Sequence, residues 1–118
     1  MKDVLVVEDD QHTLAALKKF LTNEGLAARV ADSAEAAFLE IDRKSPDILI
    51  SDWDLGSEVT GVEVVKHALT RDPNIHVLMV SGKYLPGLQR ETHDLDIHAY
   101  ISKPFSLKDI REALQLTT

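Results

Sequence analysis

Short runs of consecutive apolar residues alternate along this chain with longer stretches in which apolar residues recur every third or fourth position. No other feature constrains the fold as much. Val4-Leu5-Val6-Val7, Ile48-Leu49-Ile50 and Val77-Leu78-Met79-Val80 are solid runs. A strand with one wet face would alternate polar and apolar residues, so these predict strands covered on both faces. Between them, Leu14/Leu17/Leu21, Ala34/Ala37/Phe38/Ile41, Val62/Val65/Leu69 and Leu107/Ile110/Leu114 each draw one apolar stripe down a helix. Such alternation predicts βα units around a parallel sheet. Two weaker runs, Ala27-Ala28-Arg29-Val30 and Ala99-Tyr100-Ile101, complete five strands and read as edges.

The helix ends carry matching punctuation. Thr60-x-x-Glu63 and Ser106-x-x-Asp109 are capping-box starts, Gly25 is a stop, and Pro46 and Pro73 follow basic last turns. From Lys83 to Asp96 the apolar spacing is sparse and Pro86-Gly87 can only open a helix, so a short or mobile fourth helix is expected there.

A chain of 118 residues can bury one core and not two, so residues 1–118 read as a single domain. No apolar run approaches the ~20 residues of a membrane span, and Met1-Lys2-Asp3 leads into a strand without a signal-peptide pattern. A cytoplasmic protein without membrane contact is expected. The absence of cysteine excludes disulfides, thiolate metal sites and a cysteine nucleophile. A net charge of −7 argues against direct nucleic-acid binding by this domain, since that draws on Lys and Arg neutralising phosphates.

Polar groups fall immediately after four predicted strands: Glu8-Asp9-Asp10, Asp52, Ser81 and Lys103. In an open parallel sheet all the carboxyl ends face one crevice, where ligands bind. Asp10 is equally well explained as the N-cap of the following helix. The other acids are harder to dismiss, because two carboxylates about 4 Å apart repel by about 4 kcal/mol at an effective dielectric near 20. A cluster therefore needs a cation or shifted pKa values, and an oxygen-only donor set suits magnesium. Lys103 can meet a phosphoryl oxygen and Ser81 can donate to another. Without a glycine-rich phosphate loop, an aspartyl carboxylate is a better phosphoryl acceptor here than a bound nucleotide is a ligand.

These segments resemble the response-regulator receiver domains of two-component signal transduction over essentially the whole chain. Val4-Leu5-Val6-Val7-Glu8-Asp9-Asp10, Pro46-Asp47-Ile48-Leu49-Ile50-Ser51-Asp52, Val77-Leu78-Met79-Val80-Ser81-Gly82 and Ala99-Tyr100-Ile101-Ser102-Lys103-Pro104-Phe105 carry the resemblance in order. It implies a flavodoxin-like, doubly wound α/β fold with five parallel strands in the order 2-1-3-4-5. It also implies that Asp52 is the phosphoacceptor, taking its group from a phosphohistidine on a sensor histidine kinase or phosphotransfer protein. Asp9, Asp52 and the Asp54 backbone carbonyl would hold Mg2+ or Mn2+, with Glu8 acting through a water. Lys103 would pair with the phosphoryl oxygens. Ser81 would swing toward them and let Tyr100 turn inward, remodelling the face made by the fourth helix, fifth strand and fifth helix. The Lys103-Pro104 bond is expected to be cis. An output domain, an effector protein or a second copy docked through that face are the further partners implied.

This chain departs from the commonest family pattern at several points. Glu8 stands for aspartate and Ser81 for threonine, while the loop Leu55-Gly56-Ser57-Glu58-Val59-Thr60-Gly61 lacks the usual proline and is one residue longer. Asp54 places a second carboxylate two positions from the acceptor, which is expected to alter phosphoryl lifetime. Trp53 reads as packing or a partner contact, and Tyr100 as the switch or as a half-buried strand aromatic. His93 and His98, with Asp94 and Asp96 between them, can be drawn as a metal site but also as a polar approach to an edge strand. His12, His67 and His76 read as surface or helix-flank residues.

The expected role is a switch that assists its own phosphorylation and dephosphorylation, not a turnover enzyme. One rival takes Asp52-Trp53-Asp54 as the D-x-D pair of a metal-dependent phosphohydrolase, or with Glu8 as a Toprim-like nuclease site. Neither form uses Ser81 and Lys103. The other is an interaction module independent of phosphorylation, which leaves the intact acid, serine and lysine set unexplained.

Overall fold

The computed structural model describes residues 2–82 and 85–117. Five strands and five helices alternate: β1 (Asp3–Val7), α1 (Gln11–Asn23), β2 (Ala27–Ala31), α2 (Ala34–Arg43), β3 (Ile48–Asp52), α3 (Gly61–Arg71), β4 (His76–Ser81), α4 (Leu85–Glu91), β5 (Ala99–Ser102) and α5 (Leu107–Thr117). All neighbouring strands are parallel, in the order β2-β1-β3-β4-β5. This is the flavodoxin-like arrangement expected from the sequence.

The three solid runs form the interior strands, and successive side chains along each point to opposite faces. Leu5, Val7, Leu49, Val77 and Met79 face α2 and α3, where Ala37, Ile41, Val62, Val65 and Ala68 meet them. Val4, Val6, Ile48, Ile50, Leu78 and Val80 face α1 and α5. Each such side chain taken fully out of water contributes about 1.5–3 kcal/mol, so apolar layers of this size on both faces fix the sheet register firmly.

The edge strands are half-buried, which is why their patterns are weaker. Arg29 sits within β2 without disrupting it, because its Nε donates to Asp3 Oδ1 at 2.9 Å and its Nη2 to the Lys44 carbonyl at 2.7 Å. It thereby ties the end of α2 to β1.

Helix starts follow their caps. Asp10 Oδ2 accepts from the Thr13 N–H at 3.1 Å, and Thr60 Oγ1 from the Val62 N–H at 3.2 Å. Ser106 and Asp109 form a reciprocal capping box at 2.9 and 3.2 Å. Gly25 ends α1 in the left-handed conformation at φ +84°. α4 is short, seven residues, with Pro86 in its first turn where no intrahelical amide is needed. The preceding Lys83 and Tyr84 lie outside the described residues.

One position departs from the helix stripes. Leu107, assigned to the core face of α5, is 43% exposed. It lines an open groove of about 560 Å³ with Thr13, Ala16, Leu17, Pro104 and Phe105, because the helix begins at the sheet's rim before its axis crosses the core. Among the described residues no helix is long and apolar enough to cross a membrane.

Candidate functional site

The strand order brings the carboxyl ends of β1, β3, β4 and β5 side by side, with Val7 opposite Ser51, Asp52 opposite Val80 and Ser81 opposite Ser102. Residues more than ninety positions apart therefore share one rim. Glu8 and Asp52 are buried, at 3% and 4% exposure, Ser81 is buried beside them, and Asp9 is exposed. Glu8, Asp9 and Asp52 each offer a carboxylate oxygen, and these lie within 4.8 Å of one another. The Lys103 Nζ donates to Asp52 Oδ2 at 2.6 Å and to Glu8 Oε2 at 3.3 Å. The Lys103-Pro104 peptide is cis.

Backbone donors hold the other oxygens. The Asp54 N–H reaches Asp52 Oδ1 at 3.3 Å and the Asp10 N–H reaches Glu8 Oε1 at 3.1 Å. The Gly61 N–H donates to the Trp53 carbonyl at 2.8 Å, and a Cβ on Gly61 would collide with the Asp52 carbonyl. Asp10 is drawn away from the cluster by its cap to Thr13, which also holds its carboxyl below the ordinary range.

Three acids against one lysine leave a deficit of positive charge. Burial, with the nearby Asp52 charge adding to it, pushes Glu8 from about 4.5 up to about 7, against the opposing pull of the Asp10 N–H and Lys103. Burial alone would lower Lys103, yet its hydrogen bond to Asp52 and the charges of Asp52 and Glu8 hold it above its usual value. The carboxylate oxygens of Glu8, Asp9 and Asp52 together could hold a hard divalent cation, whose charge would offset theirs.

The shifted Glu8 has a measurable consequence without metal. Between pH 4.5 and 7 the folded protein retains a proton that the unfolded chain has released, so stability falls as pH rises through this window. The loss approaches about 3 kcal/mol above the folded value. Denaturant unfolding in EDTA is expected to show this fall for wild type and a flatter profile for Glu8→Gln. Parallel profiles would contradict the assignment.

The remaining candidates are placed as follows. The Asp54 carboxylate is exposed and turned to the loop, where Oδ1 accepts from the Gly56 N–H at 3.0 Å. Tyr100 is half-buried, and its hydroxyl lies 2.6 Å from Thr92 Oγ1. Thr92 spends its own proton on the Leu88 carbonyl at 2.8 Å, so Tyr100 is the donor and ties β5 to the end of α4. Trp53 is half-buried against the core that faces α2 and α3. His93 and His98 do not gather a metal site among the described residues. His93 Nδ1 lies against the Arg90 carbonyl, while His98 Nδ1 accepts from the Val77 N–H and its ring stacks on His76 at 4.5 Å. Thr92 is a site-shaping residue that the sequence did not single out, and Gly56 and Gly61 were noted only as members of the lengthened loop. Thr60-Gly61 just before an apolar stripe is the one signal that could have flagged Gly61.

The model for the response regulator receiver domain matches residues 4–115. The chain belongs to this family. The receiver domain is 30% identical over 93% of its length to the sensory transduction protein RegX3 of Mycobacterium tuberculosis. It spans 48% of RegX3, 23% of the nitrogen assimilation regulatory protein NtrX of Azorhizobium caulinodans and 91% of the response regulator receiver protein CpdR of Brucella abortus. Its fold superposes on the chemotaxis protein CheY4 of Vibrio cholerae with a TM-score of 0.91 at 22% identity, covering 100% and 99% of the two chains. The response regulator TrrA of Thermotoga maritima, solved in complex with Mg2+ and BeF, aligns over 100% of both chains with a TM-score of 0.85 at 21% identity. The receiver domain is thus a component of two-component signal transduction.

Proposed function

We propose that residues 1–118 form one receiver domain acting in the cytoplasm, in which Asp52 accepts a phosphoryl group from a phosphohistidine of a sensor histidine kinase or phosphotransfer protein. The observation that carries this is the buried Asp52 carboxylate, bonded to Lys103 at 2.6 Å and flanked by two further acids. An oxygen of Asp52 attacks phosphorus, the P–N bond breaks, and its electron pair leaves on the imidazole nitrogen, which takes up a proton. Asp9, Asp52 and the Asp54 carbonyl would hold Mg2+ or Mn2+, with Glu8 acting through a water, and the ion would supply charge neutralisation for the phosphoryl oxygens. TrrA carries such an ion with a phosphoryl mimic on the same fold.

Lys103 balances the added negative charge and Ser81 turns its hydroxyl toward the new oxygens. Tyr100 then leaves Thr92 and turns inward, shifting the population of the α4-β5-α5 face that an output domain, an effector or a second copy would read. The role is that of a switch, since the group transferred stays on the protein until it is hydrolysed.

Incubation with Mg2+ and acetyl phosphate is expected to add one phosphoryl group to wild type by intact mass and none to Asp52→Ala. Beryllofluoride is expected to change Trp53 fluorescence in wild type alone. Rapid turnover of unrelated phosphoesters would favour a phosphohydrolase instead. In Asp54→Asn the amide oxygen can still accept from Gly56, so phosphorylation should persist while the lifetime of the phosphoryl group changes. An unchanged dephosphorylation rate would show that the Asp54 charge has no part in it.

A further inference from the structure

Of the three clustered acids, Glu8 is held by the Asp10 N–H and Lys103, and Asp52 by Lys103 and the Asp54 N–H. Asp9 is the exposed member, and among the described residues its carboxylate accepts no hydrogen bond. What bounds it is the loop after β3. Gly56 stands at φ +72°, and a Cβ built there would come within 2.9 Å of Asp9 Oδ2. The loop is fastened in that shape from both sides: the Gly56 N–H donates to Asp54 Oδ1 at 3.0 Å, and the Asp54 N–H donates to Asp52 Oδ1 at 3.3 Å. Hydrogen bonds thus tie the phosphoacceptor to the loop, and the loop lies close against the exposed acid.

We propose that Gly56 is a specificity-determining position of the cation site: its missing Cβ lets the Asp9 carboxylate stand where a small divalent cation can be met. The inference rests on the reading that the acid cluster holds such an ion. A side chain at Gly56 would strike the far end of a flexible carboxylate, not backbone, so Asp9 yields and the fold survives. What changes is the position of one oxygen by some tenths of an ångström. Magnesium demands oxygens at about 2.0–2.1 Å in near-octahedral order, whereas calcium accepts about 2.3–2.6 Å in looser geometry. The displacement thus weakens magnesium more than calcium.

Backbone strain has to be separated from this contact, and the chain supplies its own control. Gly25 has a similar left-handed backbone, at φ +84°, with nothing within 4 Å of a built Cβ. Gly25→Ala introduces the strain far from the acids. Gly56→Asn relieves much of the strain at Gly56, because asparagine enters the left-handed region more readily, but keeps the Cβ.

The test is calorimetric titration of the full chain with MgCl2 and with CaCl2, supported by Trp53 fluorescence. Gly56→Ala and Gly56→Asn are expected to bind magnesium about tenfold more weakly, in line with losses when a metal ligand's support is disturbed. Calcium affinity should fall less, so the magnesium-to-calcium ratio drops. Gly25→Ala should lose thermal stability with both affinities intact. Should Gly56→Ala fail to fold, Gly56→Asn carries the comparison alone. Wild-type magnesium affinity in Gly56→Asn, or equal losses for both ions, would overturn the proposal while leaving the cation site itself standing. Wild type binding neither ion would overturn the site reading and this inference with it.

Discussion

Replacing Lys103 with alanine is expected to slow the charging of Asp52 by acetyl phosphate about a hundredfold or more, the range seen when a preorganised donor to developing charge is removed. Two buried carboxylates lie within 3.3 Å of its ammonium. Without it, Glu8 and Asp52 face each other with no cation between them until metal arrives, and the incoming phosphoryl oxygens lose their fixed partner. Lys103→Arg keeps the charge but presents a planar fork in place of a compact point charge, so partial recovery is expected. The initial rate by intact mass, at saturating Mg2+, separates these variants. A Lys103→Ala protein that charges at the wild-type rate would show that the ion pair is structural only.

The second large effect concerns stability. Gly61→Ala is expected to cost about 3 kcal/mol or more, at the upper end of what overpacking does, because the new Cβ would meet the Asp52 carbonyl and the Ser51 hydroxyl oxygen. Neither can easily retreat. Asp52 is fixed in β3 by its pairing with β4, and the Gly61 N–H is itself committed to the Trp53 carbonyl. The contact differs from that at Gly56, where a side-chain tip can swing away. Denaturant unfolding checks the difference: a Gly61→Ala loss below about 1 kcal/mol would mean that the β3–α3 junction relaxes, a freedom the close packing of interiors does not provide.

Much of this was legible in the sequence because burial on both faces leaves an unbroken apolar run, and β1, β3 and β4 carry such runs. The polar residues at their ends, Glu8, Asp52 and Ser81, were legible for the same reason, and Lys103 after the weaker edge strand β5 joins them because a parallel sheet places all carboxyl ends together. The loop from Asp54 to Thr60 was not, because the left-handed Gly56 depends on a hydrogen bond to the Asp54 carboxylate that composition does not announce. Leu107 was assigned to the core by spacing, yet spacing carries no information about where a helix enters the sheet's rim. His76 reads as a surface or helix-flank residue, and His98 as half of a pair with His93 or part of a polar approach to an edge strand. His76 and His98 stack because β5 pairs with β4 so that His98 bonds Val77 through both its backbone N–H and its ring.

The identity of the phosphorylated atom tests the central claim most directly. Wild-type protein charged with acetyl phosphate and Mg2+, then reduced with borohydride, converts an aspartyl phosphate to homoserine, which peptide mass spectrometry can locate. The expected result is homoserine at position 52 alone, dependent on the divalent cation. Modification at Glu8, Asp9 or Asp54 instead, or a phosphoryl group that resists borohydride, would contradict it.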